Sequence, residues 1–201
     1  MIVLKDEDFI GKGNERACYI HPNDKNKAIK ISYEQNLGRS KQTNTEIKYY
    51  KKLIKRKNLD WKHLPKFYGE VETNKGKGFI VELIRDYDGK VSKSFKYYIE
   101  KDGLDKYKKE LETYKQYLLK NYIIFNYGMM QGNILLRKNS PTDFDLVLID
   151  GLGDVAHFTL LNDIPYFARR RITRRWEKFV NKYLTKEWIE LHRENPKKEL
   201  I

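Results

Sequence analysis

The chain has 201 residues with 40% hydrophobic and 13% aromatic content, enough to build a buried core, so its composition excludes a disordered chain. Its 41 basic and 28 acidic residues give a formal net charge of +13, and such a surface attracts nucleotides, nucleic acid or acidic proteins. The single cysteine, Cys18, excludes an internal disulfide and a CxxC metal site.

Neither terminus nor interior carries a membrane signal. No apolar run approaches the roughly 20 residues that cross a bilayer. The opening stretch "MIVLKDEDFIGKG" is acidic and lacks a long apolar region, which argues against a signal peptide. We therefore expect a cytoplasmic protein with no membrane span. A lysine-rich genome and an anionic partner explain the high positive charge equally well.

The first part of the chain predicts strands with one helix. "DFIGKGNERACYIHP" and "AIKIS" alternate short apolar runs with turn residues, which favours strands over residues 1–33. Residues 40–57 have helical spacing, and Thr43 followed by Glu46 resembles a capping box. "LPKFYGEVET" and "GFIVELI" around "NKGKG" predict a β-hairpin.

The second part of the chain predicts mainly helices. Residues 104–120 form an amphipathic pattern, and residues 165–192 predict two further helical pieces before a polar tail that starts at Pro196. Three short extended segments lie between them: "NYIIFNYG", "NILLRK" and "FDLVLID". The order predicts an α+β fold: residues 1–84 form a small β-rich N-lobe, 85–195 a reduced helical C-lobe, and 196–201 a tail. A cleft between lobes is a usual ligand site.

Three features of the first lobe fit phosphate binding. Gly11 and Gly13 in "GKGNER" would let backbone amides approach phosphate oxygens, although alone they are more typical of an ordinary β-turn. Lys30 on the strand "AIKI" points away from its apolar neighbours and could reach phosphates, but edge-strand lysines are common. Glu46 on the next helix could supply the counter-charge, although a helix glutamate is usually solvated.

Two residues of the second lobe fit a cation. Asn133 precedes the apolar run "ILL", and Asp150 follows "LVLI". Magnesium prefers such hard oxygen ligands, often one or two side chains completed by substrate phosphates. Asparagine and aspartate are also common turn residues, so a purely structural role stays open.

In this order, the features resemble those of the protein-kinase-like fold. The chain more closely resembles the YrbL family, called PhoP regulatory network proteins in bacteria. The segments that carry this resemblance are "GKGNERACYIHPNDKNKAIKI", "TEIKYYKKL", "LPKFYGEVETNKGKGFIVELIRDYDGK", "QGNILL" and "IDGLGD".

The resemblance implies ATP or another nucleotide as ligand and Mg²⁺ as its cation. Gly11 and Gly13 would lie over the phosphates, Lys30 would bind them, and Glu46 would hold Lys30. Asn133 and Asp150 would bind Mg²⁺. Backbone groups from Glu82 to Ile84 would form the hinge that binds adenine.

The sequence departs from an active kinase at the catalytic loop. Counting back from Asn133, Asn126, Tyr127 and Gly128 occupy the positions of His-Arg-Asp, and Met130 replaces a lysine that often contacts the transferred phosphate. Gly128 has no side chain to accept a hydroxyl proton, and a positioned base contributes roughly 10²–10⁴-fold to rate. A pseudokinase is therefore favoured over an active enzyme.

Other positions also depart from the kinase pattern. Arg16 stands where a third glycine would complete G-x-G-x-x-G, and Gly151 and Leu152 replace the Phe and Gly of Asp-Phe-Gly. Asp154 could add a second carboxylate, although a solvated turn acid fits it better.

The favoured hypothesis is a kinase-like nucleotide-binding protein of bacterial signalling, catalytically impaired. An active atypical ATP-dependent phosphotransferase is one alternative. The other is a basic binder that uses the arginine helix at 169–175, "RRRITRR", for an acidic protein partner or, less favoured, nucleic acid. A solvated helix face explains the same arginines.

Overall fold

The structure, a computed structural model, describes residues 1–13, 15–33, 41–126, 131–154 and 163–185. It has a mainly antiparallel sheet and several helices, which confirms the predicted α+β class. Four parts of the prediction lie outside the described residues: the start of the first helix at residue 40, the catalytic-loop positions 127–130, the second helical piece at 186–192, and the tail.

Five antiparallel strands form the main sheet, in the spatial order β1-β2-β3-β5-β4. They are β1 (Phe9–Lys12), β2 (Arg16–His21), β3 (Asp24–Ser32), β4 (Phe67–Thr73) and β5 (Gly76–Glu82). The connection between β2 and β3 is shorter than the sequence predicts, because β3 already begins at Asp24. At Gly78, an added Cβ would lie 2.3 Å from the Lys30 carbonyl oxygen, so glycine allows β5 to approach β3.

The two faces of this sheet bury different sets of residues. Ile29 and Ile31 of β3 pack with Leu4 in a small cluster. Ala28 of β3, together with Phe79 of β5, belongs to the main core. Because alternate residues of a strand point to opposite faces, Lys30 lies on the same face as Ala28. The lysine is therefore directed toward the helices rather than toward the N-terminal segment.

Four α-helices and a second, two-stranded sheet complete the described fold. The helices are α1 (Lys41–Leu53), α2 (Phe95–Asp102), α3 (Lys108–Lys120) and α4 (Pro165–Tyr183), and the strands are β6 (Ile134–Lys138) and β7 (Phe144–Leu148). The first turn of the predicted helix 104–120 is a 3-10 turn, Asp105–Tyr107. Of the predicted extended segment 121–128, the described part, 121–126, forms only an isolated bridge, between Phe125 and Leu152.

One continuous hydrophobic core joins the first part of the chain to the second. It runs from Phe79 and Val81 of the sheet through Tyr50 of α1 to Leu118 of α3 and Phe179 of α4. The segment after β7 consequently lies against the face of the sheet that carries Lys30. In the ranges that the structure describes, no helix is long and apolar enough to cross a membrane, as predicted.

Candidate functional site

Four charged side chains from four separate segments meet at the boundary between the sheet and the second part of the chain. They are Arg16 of β2, Lys30 of β3, Glu46 of α1 and Asp150, which follows β7. Arg16 Nη1 lies 2.8 Å from Glu46 Oε2, and Lys30 Nζ lies 3.4 Å from Glu46 Oε1. Arg16 Nη2 also forms an ion pair with Asp150 Oδ1. The structure thus brings together three predicted site residues and adds Arg16.

Strand register places both cations on one face of the sheet. Arg16 lies opposite Ser32 and Cys18 lies opposite Lys30, so Arg16 and Lys30 project from neighbouring strands on the same side. Phe79 of β5, paired with Lys30, contacts both: its ring centroid lies 5.6 Å from the Arg16 guanidinium carbon and 5.7 Å from Lys30 Nζ. An aromatic face at this distance stabilises a cation.

Helix α1 presents Glu46 to these cations from a fixed position. The Glu46 carboxylate is fully buried. One turn further along α1, the Tyr49 hydroxyl accepts a hydrogen bond from the Ile124 amide at 2.7 Å and donates to the Tyr122 carbonyl at 3.2 Å. The predicted capping box is wrong, since Thr43 lies inside α1 and Glu46 turns to the two cations instead.

Backbone and side-chain donors hold the carboxylate of Asp150. Its Oδ1 accepts from the Gly151 amide at 2.6 Å and from Gln42 Nε2 of α1 at 3.3 Å, in addition to Arg16. Lys30 Nζ donates to the carbonyl oxygen of Ile149. Gly151 has a φ of 85°, in the left-handed region that favours glycine, which explains glycine where the kinase pattern has phenylalanine.

The four charges balance one another. Burial favours the neutral form of Asp150, but Lys30 and Arg16 outweigh it and lower the pKa of Asp150 to about 2. Burial alone would lower the pKa of Arg16, yet Glu46 and Asp150 raise it above the ordinary value. Complete burial raises the pKa of Glu46, and the two cations offset this only in part.

Asn133 lies at the same end of the β6–β7 hairpin as Asp150. Its carbonyl accepts from the Ile149 amide at 2.9 Å, and its half-buried side chain ends a short 3-10 turn, Gln131–Asn133. The amide and carboxylate oxygens are ligands that Mg²⁺ prefers. Within the described ranges, no group of three or more His, Cys, Asp or Glu side chains is arranged to hold a metal. A cation here would need phosphate or water as further ligands.

The two predicted loop glycines lie in the β1–β2 hairpin, immediately before Arg16. Gly11 pairs with Cys18, and the Gly13 amide donates to the Arg16 carbonyl at 2.8 Å. A Cβ added at Gly13 would have this carbonyl oxygen, 4.0 Å away, as its nearest contact. Gly13 is therefore exposed and uncrowded, but its amide is already engaged within the hairpin.

The predicted hinge has several of its backbone groups engaged. The amides of Glu82 and Leu83 donate at 2.9 Å and 2.8 Å to the carbonyls of Lys66 and Asn26, respectively, and the Ile84 carbonyl accepts from the Ser92 amide at 3.0 Å. An adenine ring would have to use the other backbone groups of residues 82–84.

With this geometry established, comparison with known proteins identifies the family. The family described as "PhoP regulatory network protein YrbL" matches residues 2–184, a range that includes all of the site residues above. The chain belongs to the YrbL family. It is 31% identical over 184 residues to "Uncharacterized protein YrbL" of Escherichia coli (strain K12), and equally to the protein of the same name from Shigella flexneri. Each match covers 90% of this chain and 87% of the relative.

In this YrbL-family chain, Asp154 is not a solvated turn acid, contrary to the favoured interpretation of its sequence position. Its buried carboxylate forms ion pairs with Arg171 and, at 2.9 Å, with Arg175 of α4. Arg175 also donates to the carbonyl of Phe125. The acid therefore joins α4 to the segment that follows Asp150. Sequence spacing did not indicate this contact, because α4 approaches Asp154 only in the folded chain.

The arginine run of α4 divides between two faces. Arg171 and Arg175 turn inward to Asp154, whereas Arg169, Arg170 and Arg174 lie at the surface. A groove of about 470 Å³ runs beside this exposed face and is lined by Phe167, Arg170, Arg171, Thr173, Arg174 and Glu177. The groove is separate from the cluster of Arg16, Lys30, Glu46 and Asp150.

Proposed function

We propose that this YrbL-family chain is a kinase-like nucleotide-binding protein of bacterial regulation whose phosphoryl-transfer chemistry is impaired. The regulatory context is taken from the family description, "PhoP regulatory network protein YrbL". The ligand would be ATP or another nucleotide with Mg²⁺. The fold would be a reduced protein-kinase-like arrangement, with residues 1–84 as the N-lobe and 85–195 as the C-lobe.

The observation that carries the proposal is the meeting of Lys30, Glu46 and Asp150. They come from β3, α1 and the end of β7, and they lie within one ion-paired cluster. Phosphoryl-binding sites of kinases use a strand lysine held by a helix glutamate, together with an aspartate on the metal. The antiparallel sheet order and the position of α1 after β3 support the same arrangement.

Each residue has a distinct role in the proposed complex. Lys30 binds the phosphates, and Glu46 holds it in position. Gly11 and Gly13 let the hairpin backbone approach the phosphates, and the Gly13 amide would have to exchange its hydrogen bond to the Arg16 carbonyl for one to a phosphate oxygen. The hinge segment would run from Glu82 to Ile84. Asn133 and Asp150 would hold Mg²⁺, which neutralises phosphate charge when it is bound.

Calorimetric titration with ATP and Mg²⁺ tests the proposal. We expect binding at submillimolar ATP, and we expect Lys30→Met to weaken it at least about tenfold, since a charged hydrogen bond contributes about 1.5–3 kcal/mol. Lys27→Met is the matched control, because Lys27 lies on the same strand but points to the opposite face. Absence of binding at millimolar ATP, or equal loss in both variants, contradicts the proposal.

Impaired transfer rests on Gly128, which offers no base at the position of the catalytic aspartate. We expect no phosphoryl transfer from labelled ATP to the chain itself or to lysate components. Transfer that Asp150→Ala abolishes would instead establish the alternative, an active atypical phosphotransferase. Label that survives Asp150→Ala would indicate a contaminating kinase.

A second candidate function is supported by the exposed face of α4. Arg169, Arg170 and Arg174 lie at the surface beside a groove, and the aromatic side chains of Tyr166 and Phe167 are exposed next to them. Arginine and aromatic side chains together are typical of protein-binding surfaces, and the charge suits an acidic partner.

Binding of an acidic peptide, followed by fluorescence anisotropy, tests this candidate. Arg170→Gln with Arg174→Gln should weaken binding, whereas Lys108→Gln with Lys109→Gln removes the same charge from the exposed end of α3 and serves as the control. Equal weakening by both pairs would mean that only the net charge matters. If the chain instead retains nucleic acid, and only Arg170→Gln with Arg174→Gln abolishes this retention, the partner of the exposed α4 face is nucleic acid.

A further inference from the structure

Arg16 places a buried positive charge where a simple phosphate-binding hairpin does not need one. It is 6% exposed, and its guanidinium group bridges Glu46 and Asp150, one carboxylate with each terminal nitrogen. The third glycine of the kinase loop pattern would leave this space without a charged group. A cation supplied by the protein itself therefore lies beside the aspartate that is proposed to bind Mg²⁺.

Arg16 determines the net charge of the cluster that it joins through its ion pair with Asp150. Without Arg16, the cluster would contain one cation, Lys30, against the carboxylates of Glu46 and Asp150, and its net charge of about −1 would attract a divalent cation. With Arg16, two cations face two carboxylates. Asp150 Oδ1 already accepts from the Gly151 amide and Gln42 as well as from the guanidinium.

From these contacts we propose that Arg16 is a built-in competitor of the divalent cation at Asp150. The guanidinium keeps the cation site closed in the free protein, and a cation that binds Asp150 must weaken the Arg16–Asp150 ion pair. This inference rests on the proposed function, because it concerns the metal of the same site. It makes Arg16 the residue that determines how strongly nucleotide binding depends on metal.

Titration with Mn²⁺ alone, without nucleotide, measures this competition. Arg16→Gln should bind Mn²⁺ at least about tenfold more tightly than the wild type, because removal of one adjacent positive charge favours a divalent ion. Arg137→Gln is the matched control: Arg137 donates to the Lys62 carbonyl at 2.9 Å and pairs with Asp145 at 3.1 Å, away from the site. Its Mn²⁺ affinity should equal that of the wild type.

The double variant Arg16→Gln with Asp150→Asn tests whether the additional Mn²⁺ binds at Asp150. Its Mn²⁺ affinity should fall back from the level of Arg16→Gln alone. The inference is overturned if Arg16→Gln binds Mn²⁺ no more tightly than the wild type, if neither binds it at millimolar concentration, or if the gain survives Asp150→Asn.

A measurement on the wild-type protein covers the case in which Arg16→Gln does not fold. Phenylglyoxal modifies accessible guanidinium groups, and peptide mass spectrometry reads out each arginine. Arg16 should be protected without metal and labelled several-fold faster at saturating Mg²⁺, whereas exposed Arg170 should not change. Unchanged Arg16 labelling at saturating Mg²⁺ would overturn the inference.

Nucleotide binding is scored separately in the same variants. If Mn²⁺ behaves as expected but ATP binds to none of them, the proposed function fails while the competition at Asp150 stands. If ATP binds with equal affinity in EDTA and in Mg²⁺ for both the wild type and Arg16→Gln, and Mn²⁺ affinity is also unchanged, nucleotide binding stands and the competition is overturned.

Discussion

At the scale of single residues, the site depends on the neutralisation of buried charge. Glu46 is the only carboxylate that contacts both Arg16 and Lys30 among the described ion pairs, at 2.8 Å and 3.4 Å. A buried ion pair contributes little net stability against an apolar replacement, but removal of one partner leaves the other uncompensated. The cost of a substitution here therefore depends on whether charge balance survives.

We expect Glu46→Gln to lower the free energy of unfolding by about 3–5 kcal/mol, since it leaves Arg16 and Lys30 with only Asp150 as a counter-ion. Urea unfolding followed by circular dichroism measures this. Glu70→Gln removes a half-exposed ion pair with Lys51 and should cost about 1 kcal/mol or less.

The double variant Arg16→Gln with Glu46→Gln completes a mutant cycle. It restores equal numbers of cations and carboxylates, so it should cost less than the sum of the two single changes. Strict additivity would mean that the Arg16–Glu46 contact carries no coupling energy.

Asp150 gives the cluster a defined pH dependence. Its pKa falls from an ordinary 3.8 in the unfolded chain to about 2 in the folded protein, so the folded state binds fewer protons between these values. Its contribution to stability is present in full above pH 4 and is lost as the pH falls through about 2. Asp150 is one-third exposed, so solvent screening reduces the size of this contribution.

We expect the difference in unfolding free energy between wild type and Asp150→Asn to be constant from about pH 7 to pH 5 and to shrink as the pH falls from about 4 toward 2. Urea titrations at each pH measure it. A difference that grows on acidification would contradict the lowered pKa of Asp150.

The sequence predicted three members of the cluster and missed the fourth for a physical reason. Lys30, Glu46 and Asp150 each belong to a local pattern: an apolar strand, a helix, or a strand followed by glycine. Arg16 was interpreted only as a residue that replaces a glycine. Its role depends on strand register, which makes Arg16 on β2 a diagonal neighbour of Lys30 on β3. One signal was available: Arg16, Cys18 and Ile20 are every second residue of β2, so Arg16 shares the face on which Cys18 and Ile20 pack against the core.

At the scale of elements, segments with a clear local pattern were predictable, including the short strands β6 and β7, whereas helix α2 was not. The hairpin β4–β5 and helix α3 have strong local patterns. Helix α2 spans only eight residues, and what defines it is its ends: the Ser94 hydroxyl accepts from the Tyr97 amide, and Gly103 has a φ of 85°. A short helix of this kind is stabilised by packing of Phe95 and Ile99 rather than by its own propensity.

The position of α1 depends on the Tyr49 hydroxyl, which no sequence pattern singles out. Tyr49→Phe should lower the free energy of unfolding by about 1–3 kcal/mol, because the buried Ile124 amide loses its acceptor. It should also weaken the proposed ATP binding, since Glu46 lies one turn from Tyr49 on the same helix. Tyr87→Phe, at a position that is 58% exposed, is the control for both measurements.

At the scale of the whole molecule, the predicted lobes share one hydrophobic core. Phe79 of the sheet and Phe179 of α4 belong to the same cluster. The Asp154 ion pairs add a polar connection between α4 and the segment after Asp150. Sequence order suggested two lobes because strands precede helices, but only the folded arrangement reveals how much apolar surface they bury together.

A shared core predicts cooperative unfolding. Tryptophan fluorescence and far-ultraviolet circular dichroism should give coincident urea transitions, because neither part of the chain keeps its core when the other unfolds.

Asp154→Asn should shift both transitions together and lower the free energy of unfolding by about 3–5 kcal/mol, since Arg175 is buried and loses its counter-ion. Asp163→Asn, which removes an exposed ion pair with Lys52, should leave the transition within about 1 kcal/mol of wild type. Two separated transitions, with only one of them sensitive to Asp154→Asn, would mean that the lobes unfold independently and that the Arg16 cluster forms between separately stable units.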